Sequence, residues 1–237
     1  MSKELAIFND IPEYAMTKVA PEAFADLLGG LSVGSVPSIR VKNGKFRTVI
    51  GGEEKVIPSK NLAEGEYLPV IILKAKKALS KSYYATAYDP ANEPEAPDCW
   101  SLDGERPDKQ VKKPVCDTCA ACPMNAFGSG RNQNGEPTKG KACTDNKIMA
   151  VAYAGSVYQM KIPPASLKGF GAYIRLLMSK NVTPGNVVTY IGLDEDADFP
   201  VLTFHPGMFV PANKLEVLAE LAESQEVQDI IHPVFSA

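Results

Sequence analysis

One stretch, Cys99 to Asn146, limits what this chain can fold into more than any other. It reads CWSLDGERPDKQVKKPVCDTCAACPMNAFGSGRNQNGEPTKGKACTDN and holds all five cysteines of the protein. It has almost no apolar run that could build a core, and it is rich in Gly, Pro, Asn, Asp and Lys. Compact domains rarely carry so long a loop without secondary structure unless it is functional or held by something other than packing. Clustered thiols name a holder. A metal closed by four thiolates folds a polar segment that has no core of its own.

Cys116, Cys119 and Cys122 form C-x2-C-x2-C, with Cys99 and Cys143 on either side. A structural zinc takes four ligands, two of them typically from a C-x2-C knuckle, so five thiols compete for four places. The reading adopted is Cys99, Cys119, Cys122 and Cys143, with Cys116 in place of Cys99 as the next choice. Iron–sulfur ligation also uses x2-spaced thiols, but in ferredoxins the proline follows the distant fourth cysteine, whereas Pro123 here follows the third. A disulfide framework fits less well. Five is an odd count, and the opening MSKELAIFNDIPEY has no long apolar core of the kind a secretion signal needs.

Hydrophobic residues at 45% and charged residues at 22% are ordinary for a globular chain. The longest apolar run, around Leu68 to Leu73, is strand-length and far short of a membrane span. A cytoplasmic location is expected. The net charge of −3 hides a segregation. Lysines and arginines gather at Lys74–Lys81, Arg106–Lys113 and Arg131–Lys147, while acidic residues dominate the last quarter from Asp194 to Asp229. Such asymmetry fits a polyanion partner for one region and an acidic surface elsewhere.

Pattern and turn signals predict the elements. Pro21 to Leu28 reads as a short helix. Ser38–Lys42 and Lys45–Ile50 read as a hairpin turned at Asn43-Gly44, followed by Lys55–Ile57. Tyr67–Ala75 and Ser82–Tyr88 read as strands. After the cysteine stretch, Lys147–Ala154 and Val157–Ile162 form a second hairpin turned at Gly155-Ser156. A helix spans Ala165–Lys180, with Leu167, Phe170, Ile174 and Leu177 on one face. Val187–Leu193 and Phe199–Phe204 are strands joined by an acidic turn, and a last helix covers Ala212–Glu223. The expected fold is mainly β with α. It is an OB-like five-stranded barrel in one domain over residues 1–237, with a helix between its third and fourth strands. A zinc-binding insertion at about 97–147 and an acidic C-terminal helix at about 211–231 complete it.

A resemblance rests on Tyr84 to Asp89, Pro97-Asp98-Cys99-Trp100-Ser101, Asp103-Gly104 and Pro107-Asp108. It continues through Cys119-x2-Cys122-Pro123, Asn125, Phe127-Gly128-Ser129 and Gly140-Lys141-Ala142-Cys143. Together these motifs resemble bacteriophage single-stranded DNA-binding proteins of OB-fold type with a four-cysteine insertion. The likeness covers the middle of the chain by motif, and the later strands and helix only in general pattern. It implies a structural zinc on Cys99, Cys119, Cys122 and Cys143, and single-stranded DNA as partner in replication, recombination or repair. Replication proteins could dock on the acidic C-terminal region. The ending HPVFSA departs from the acidic tail common among such binders.

Binding single strands without sequence choice needs a basic groove and rings on which bases stack. The candidates are Lys74, Lys76, Tyr84, Tyr88, Trp100, Phe127, Arg131, Lys139 and Lys141. Trp100 and Phe127 have a competing role as covers of the metal site. The glycines of GSGRNQNGEPTKGK let backbone amides approach phosphates, though no Ser or Thr follows Lys141 as a P-loop would require. Catalysis is not expected. The histidines His205 and His232 lack a Glu two residues on, so the deaminase pattern is absent. His205 reads as a turn residue in Phe-His-Pro-Gly, and Asp194–Asp198 as a solvated acidic turn.

Overall fold

The computed structural model describes residues 36–86, 97–132, 134–197 and 200–232, which fall in the unit Gly34–Ala237. The helix expected at Pro21–Leu28 lies outside them, as does Tyr88. The strands are β1 (Ser38–Lys42), β2 (Lys45–Ile50), β3 (Glu53–Val56), β4 (Leu68–Ala75), β5 (Ser80–Tyr83), β6 (Cys99–Ser101), β7 (Cys143–Tyr153), β8 (Ser156–Ile162), β9 (Val187–Leu193) and β10 (Leu202–Phe209). Helix α1 (Pro164–Ser179) joins β8 to β9, and α2 (Ala212–Ala222) and α3 (Gln225–Ile231) follow β10.

Two turns set the hairpins. Asn43 and Gly44 both take positive φ, 53° and 67°, the pair a type I′ turn demands. The second hairpin turns one residue earlier than its sequence predicts, at Ala154 (φ 48°) and Gly155 (φ 84°), because Tyr153 pairs with Ser156. That register keeps Val151, Tyr158, Met160 and Ile162 on one face, and a slip of one residue would turn all of them outward.

The sheet is mixed, with the order β10-β9-β4-β7-β8-β1-β2-β3, and β5 and β6 form a side ribbon on β7. β1 runs parallel to β8 through Ser38↔Gln159 and Ile39↔Met160. The strand count is ten among the described residues, not the expected five. Within it β4, β7, β8, α1, β9 and β10 follow the order strand, strand, strand, helix, strand, strand. The sheet curls as a half-barrel compatible with an OB-like fold. β8 takes β1 as its outer neighbour, and β10 stands at the rim.

Each face has its own cover. On one, α1 packs Phe170, Tyr173 and Leu177 against Leu68, Val70, Met149, Ile191 and Leu202, with Leu167 and Ile174 partly buried beside them. Tyr173 Oη lies 2.7 Å from Thr189 Oγ1, and Leu202 N donates to Ser166 Oγ at 2.8 Å, so the buried polar atoms of this contact are satisfied. On the other face, α3 buries Val227, Ile230 and Ile231 against Ala150 and Val157. Gln159 Nε2 donates to Ile230 O at 2.7 Å. Ser224 caps α3 by accepting from Val227 N.

The apolar side of α2 is half-covered: Leu215, Leu218 and Ala222 are partly buried, and none of its residues is fully so. Two expectations need correction. His205 is not in a turn. It pairs with Tyr190 inside β10, which runs on through Pro206 and Gly207 before a register shift. Tyr84 lies just past β5, which ends at Tyr83, so the strand expected over Ser82–Tyr88 starts and stops earlier.

The edge-to-face contact of Phe170 with Phe204, at 5.2 Å between centroids, marks the packed centre of α1. Phe170→Ala should lower unfolding stability by ~3–5 kcal/mol, as deletion of a buried Phe does. Urea titration followed by far-UV circular dichroism reads the change, and an unmoved midpoint would mean that α1 faces water.

A five-thiol pocket and the loop beside it

A three-stranded ribbon, β6-β5-β7, builds one wall of the site. Tyr83 pairs with Cys99 on one side and with Cys143 on the other, so the three side chains stand in one cross-strand row. The knuckle builds the opposite wall. Cys119 N donates to Glu105 O at 2.8 Å and Asn125 N to Cys122 O at 3.0 Å, closing a short turn over Pro123–Asn125. Asn125 Nδ2 donates to Cys119 O at 2.8 Å. The chain between the walls is tied by Asp103, whose Oδ1 accepts from Ser101 Oγ and from the amides of Glu105 and Arg106. Gly104 at φ 76° passes so close to β5 that an added Cβ would sit 2.5 Å from Leu79 O, so no other residue fits.

All five cysteines line one cavity of about 20 Å³, together with Tyr83 and Trp100. That is room for one water or one ion. Cys143 faces Cys119, Cys122 and Cys99, and burial first, then those thiols, push its pKa up to about 11. Burial likewise raises Cys119, which faces Cys99 and Cys122. Lys81 opposes both shifts. Burial first, then the neighbouring Cys122 and Cys99, raise Cys116, which lines the same cavity as the other four. Thiols so raised stay protonated at neutral pH unless a cation joins them, and metal binding would release their protons. Among the described residues no group of three or more His, Cys, Asp or Glu side chains is already converged to hold a metal ion. The pocket gathers a zinc-type donor set without closing it on one point.

Behind the pocket lies a polar network. Asp145 accepts from Lys81 and, at 2.9 Å, from Lys141. Both ammoniums also reach Asn125 Oδ1, at 3.0 and 3.2 Å. Burial alone would raise the Asp145 carboxyl, but the two lysines outweigh it and hold it below the usual range. The network joins β5, β7 and the knuckle turn, so charge and geometry at the thiols are coupled.

The residues expected to contact nucleic acid divide into two sets. Trp100 is 6% exposed and lines the thiol pocket, so it offers no face to a base; its place is that of a cover for the pocket. Lys76 is 8% exposed, its pKa is lowered by burial, and its Nζ lies 3.4 Å from His232 Nδ1. Lys74 Nζ pairs with Glu223 at 2.6 Å. Lys141 is held by Asp145 and Asn125, with its ammonium 5.0 Å from the centroid of Phe127. These four are engaged within the protein. Phe127, Arg131, Lys139 and Tyr84 are exposed, Phe127 to 81%. Phe127 therefore does not pack over the thiols. Arg131 and Lys139 make no ion pair among the described residues.

The glycine-rich loop is a miniature hairpin. Gly128 N and Gly130 N donate to Gly140 O at 2.9 and 3.0 Å, and Thr138 N donates to Gly130 O at 2.9 Å. An added Cβ at Gly130 would meet Thr138 Oγ1 at 2.5 Å. These amides bond to the loop itself, contrary to the expectation that they would be open to approach phosphates.

The sequence reading missed one aromatic group. Tyr67 and Tyr190 stack with centroids 6.4 Å apart, and His205 meets the Tyr67 ring edge-on at 5.3 Å. Gly192 and Gly207 make room for the rings, since an added Cβ would lie 2.6 Å from Tyr67 and 2.7 Å from Tyr190. The spacing Tyr190-x-Gly192 opposite His205-x-Gly207 was the available signal, hidden because Pro206-Gly207 reads as a turn.

No protein-family model, curated protein or solved structure matches the chain. Among the described residues no helix is long and apolar enough to cross a membrane.

The purified protein should be colourless and carry about one zinc per chain, the stoichiometry of a four-thiolate site. Elemental analysis of Cys119→Ser/Cys122→Ser should find it gone, and full retention would exclude the site. Trp100→Ala should speed zinc loss to a chelator, because it opens the pocket to water.

Proposed function

We propose that the chain is a single-stranded DNA-binding protein acting in replication, recombination or repair. Its scaffold is an OB-like barrel and its cysteine insertion is held by a structural zinc. The observation that carries this reading is the exposed Phe127 ring, on the same short loop as the exposed cations Arg131 and Lys139. A ring of that exposure stacks on any unpaired base, and cations beside it attract the backbone without reading sequence. Cys99, Cys119, Cys122 and Cys143 would hold the zinc, which supplies structural cross-linking only. The knuckle turn ends two residues before Phe127, so fixing the knuckle fixes the position of the ring. The motifs around Cys99 and Cys119 that resemble phage single-strand binders point the same way.

A second reading is a protein-docking module. It is favoured by α2, which has no buried residue, carries Val217 at 60% exposure and presents Glu216 and Glu220 to solvent.

Fluorescence anisotropy with labelled single and double strands at several salt concentrations separates the two. Single strands should bind more tightly than duplex, because stacking needs unpaired bases. Arg131→Ala/Lys139→Ala should flatten the log–log salt slope by ~0.7 for each phosphate contact removed. Phe127→Ala should weaken binding by ~1–3 kcal/mol with the slope unchanged. Equal binding of duplex and single strand with one slope would put the docking reading first.

A further inference from the structure

One face of the sheet sets cations directly against each other. β1 and β2 pair Arg40 with Arg47 and, toward the turn, Lys42 with Lys45. Residues directly opposite on an antiparallel pair share a face with Cβ atoms ~5 Å apart, and like charges there destabilise the pairing. β8 adds a fifth cation. It runs parallel to β1 through Ser38↔Gln159, so Lys161, two residues on, falls beside Arg40 on the same face. Among the described residues of these strands and β3, the carboxylate on this face is Glu54, which lies opposite Val49 and meets Arg47 Nε at 3.1 Å. Lys45 also borders a cavity lined by Glu66, Asp194 and Glu195. Arg40, Lys42, Arg47 and Lys161 therefore carry most of the excess charge. Ile39 and Phe46, on the other face of β1 and β2, are buried in the core, so the cations stand on anchored strands. In the sequence they are scattered from Arg40 to Lys161, outside the three basic clusters, and only strand pairing gathers them.

We propose that this face binds the phosphodiester backbone of single-stranded nucleic acid, as a second contact surface besides the loop that bears Phe127. The choice of ligand rests on the single-strand reading above; the row of facing cations does not. A bound phosphate between two facing cations turns their repulsion into attraction to a shared anion, and condensed counterions are released as it binds. The cation pairs repeat every ~7 Å along the strands, two residues at a time. A regular row of that kind suits a polymer with a charge on every unit. Arg at the central pair fits the same ligand, because its planar fork of donors meets two phosphate oxygens at once.

The test is fluorescence anisotropy of the full chain with a labelled oligothymidylate at several salt concentrations, beside binding to phosphatidylglycerol vesicles. Arg40→Gln/Lys42→Gln leaves the Arg47–Glu54 pair in place. It should lower the log–log salt slope by ~1.4, two phosphate contacts at ~0.7 each. Without nucleic acid this variant should melt no lower than wild type, because a repulsion has been removed. Acetylation mapping of the wild type keeps the test independent of the variant. The oligonucleotide should protect Lys42 and Lys161 but not Lys55, whose partner Thr48 pairs with Ile39 on the other face. A variant slope equal to that of wild type, or Lys55 protected as strongly as Lys42, would overturn the inference. So would loss of vesicle binding in the variant with oligonucleotide binding intact. A slope that depends on Arg131 and Lys139 alone keeps the single-strand reading and removes this face from it. A slope that depends on Arg40 and Lys42 alone keeps the face and removes the loop. Wild type that does not bind the oligonucleotide at all sinks both.

Discussion

The structure depends on one shared strand. β7 runs from Cys143 to Tyr153, and its two halves bond to different partners. The first half pairs with β5, from Tyr83↔Cys143 to Ser80↔Asn146; the second pairs with β4, from Ala75↔Met149 to Ile71↔Ala152. The β7–β8 ladder runs beside the second half from Lys147 onward. The ribbon that bears the thiols is thereby an extension of the main sheet and not an appendage on a linker. Lys76 N, donating to Ile148 O at 2.9 Å, continues the ladder across the gap between β4 and β5. The insert needs no apolar core of its own because one edge of it is hydrogen-bonded to a strand whose other end is buried.

Much of this was legible in the sequence where one physical signal dominated. Asn43-Gly44 fixed a turn through φ, and α1 stood out through its apolar face. The misses share a cause. The first half of β7 reads Cys-Thr-Asp-Asn, which is turn chemistry, and becomes a strand only because β5 supplies the partner. β6 is three residues long, too short for any period. α3 hid behind α2, since a continuous acidic run masks the break at Ser224 and the buried Val227, Ile230 and Ile231. All are tertiary effects that no local window contains.

Charge was the least legible property. The clusters around Lys74, Lys76 and Lys141 are real in sequence, but each ammonium finds an internal partner in Glu223, His232 or Asp145. The acidic last quarter is in part the counterpart of the lysine-rich strand and not a separate surface. Exposure, which sequence does not give, separates Arg131 and Lys139 from the rest. The same is true of the aromatics: the lone tryptophan is inside and Phe127 is out.

The rim of the sheet carries a consequence of its own. A half-barrel, unlike a closed one, ends in a strand whose outer backbone groups have no neighbour, and such a strand invites another chain to add itself. Among the described residues the two edge strands are β10 and β3, and β10 carries Pro206 at its middle, followed by a register shift before Phe209. Proline has no N–H to offer an incoming strand, and an irregular register denies it a straight template. The segment that looked like a turn in the sequence therefore makes one rim of the sheet a poor template for an added copy of the chain.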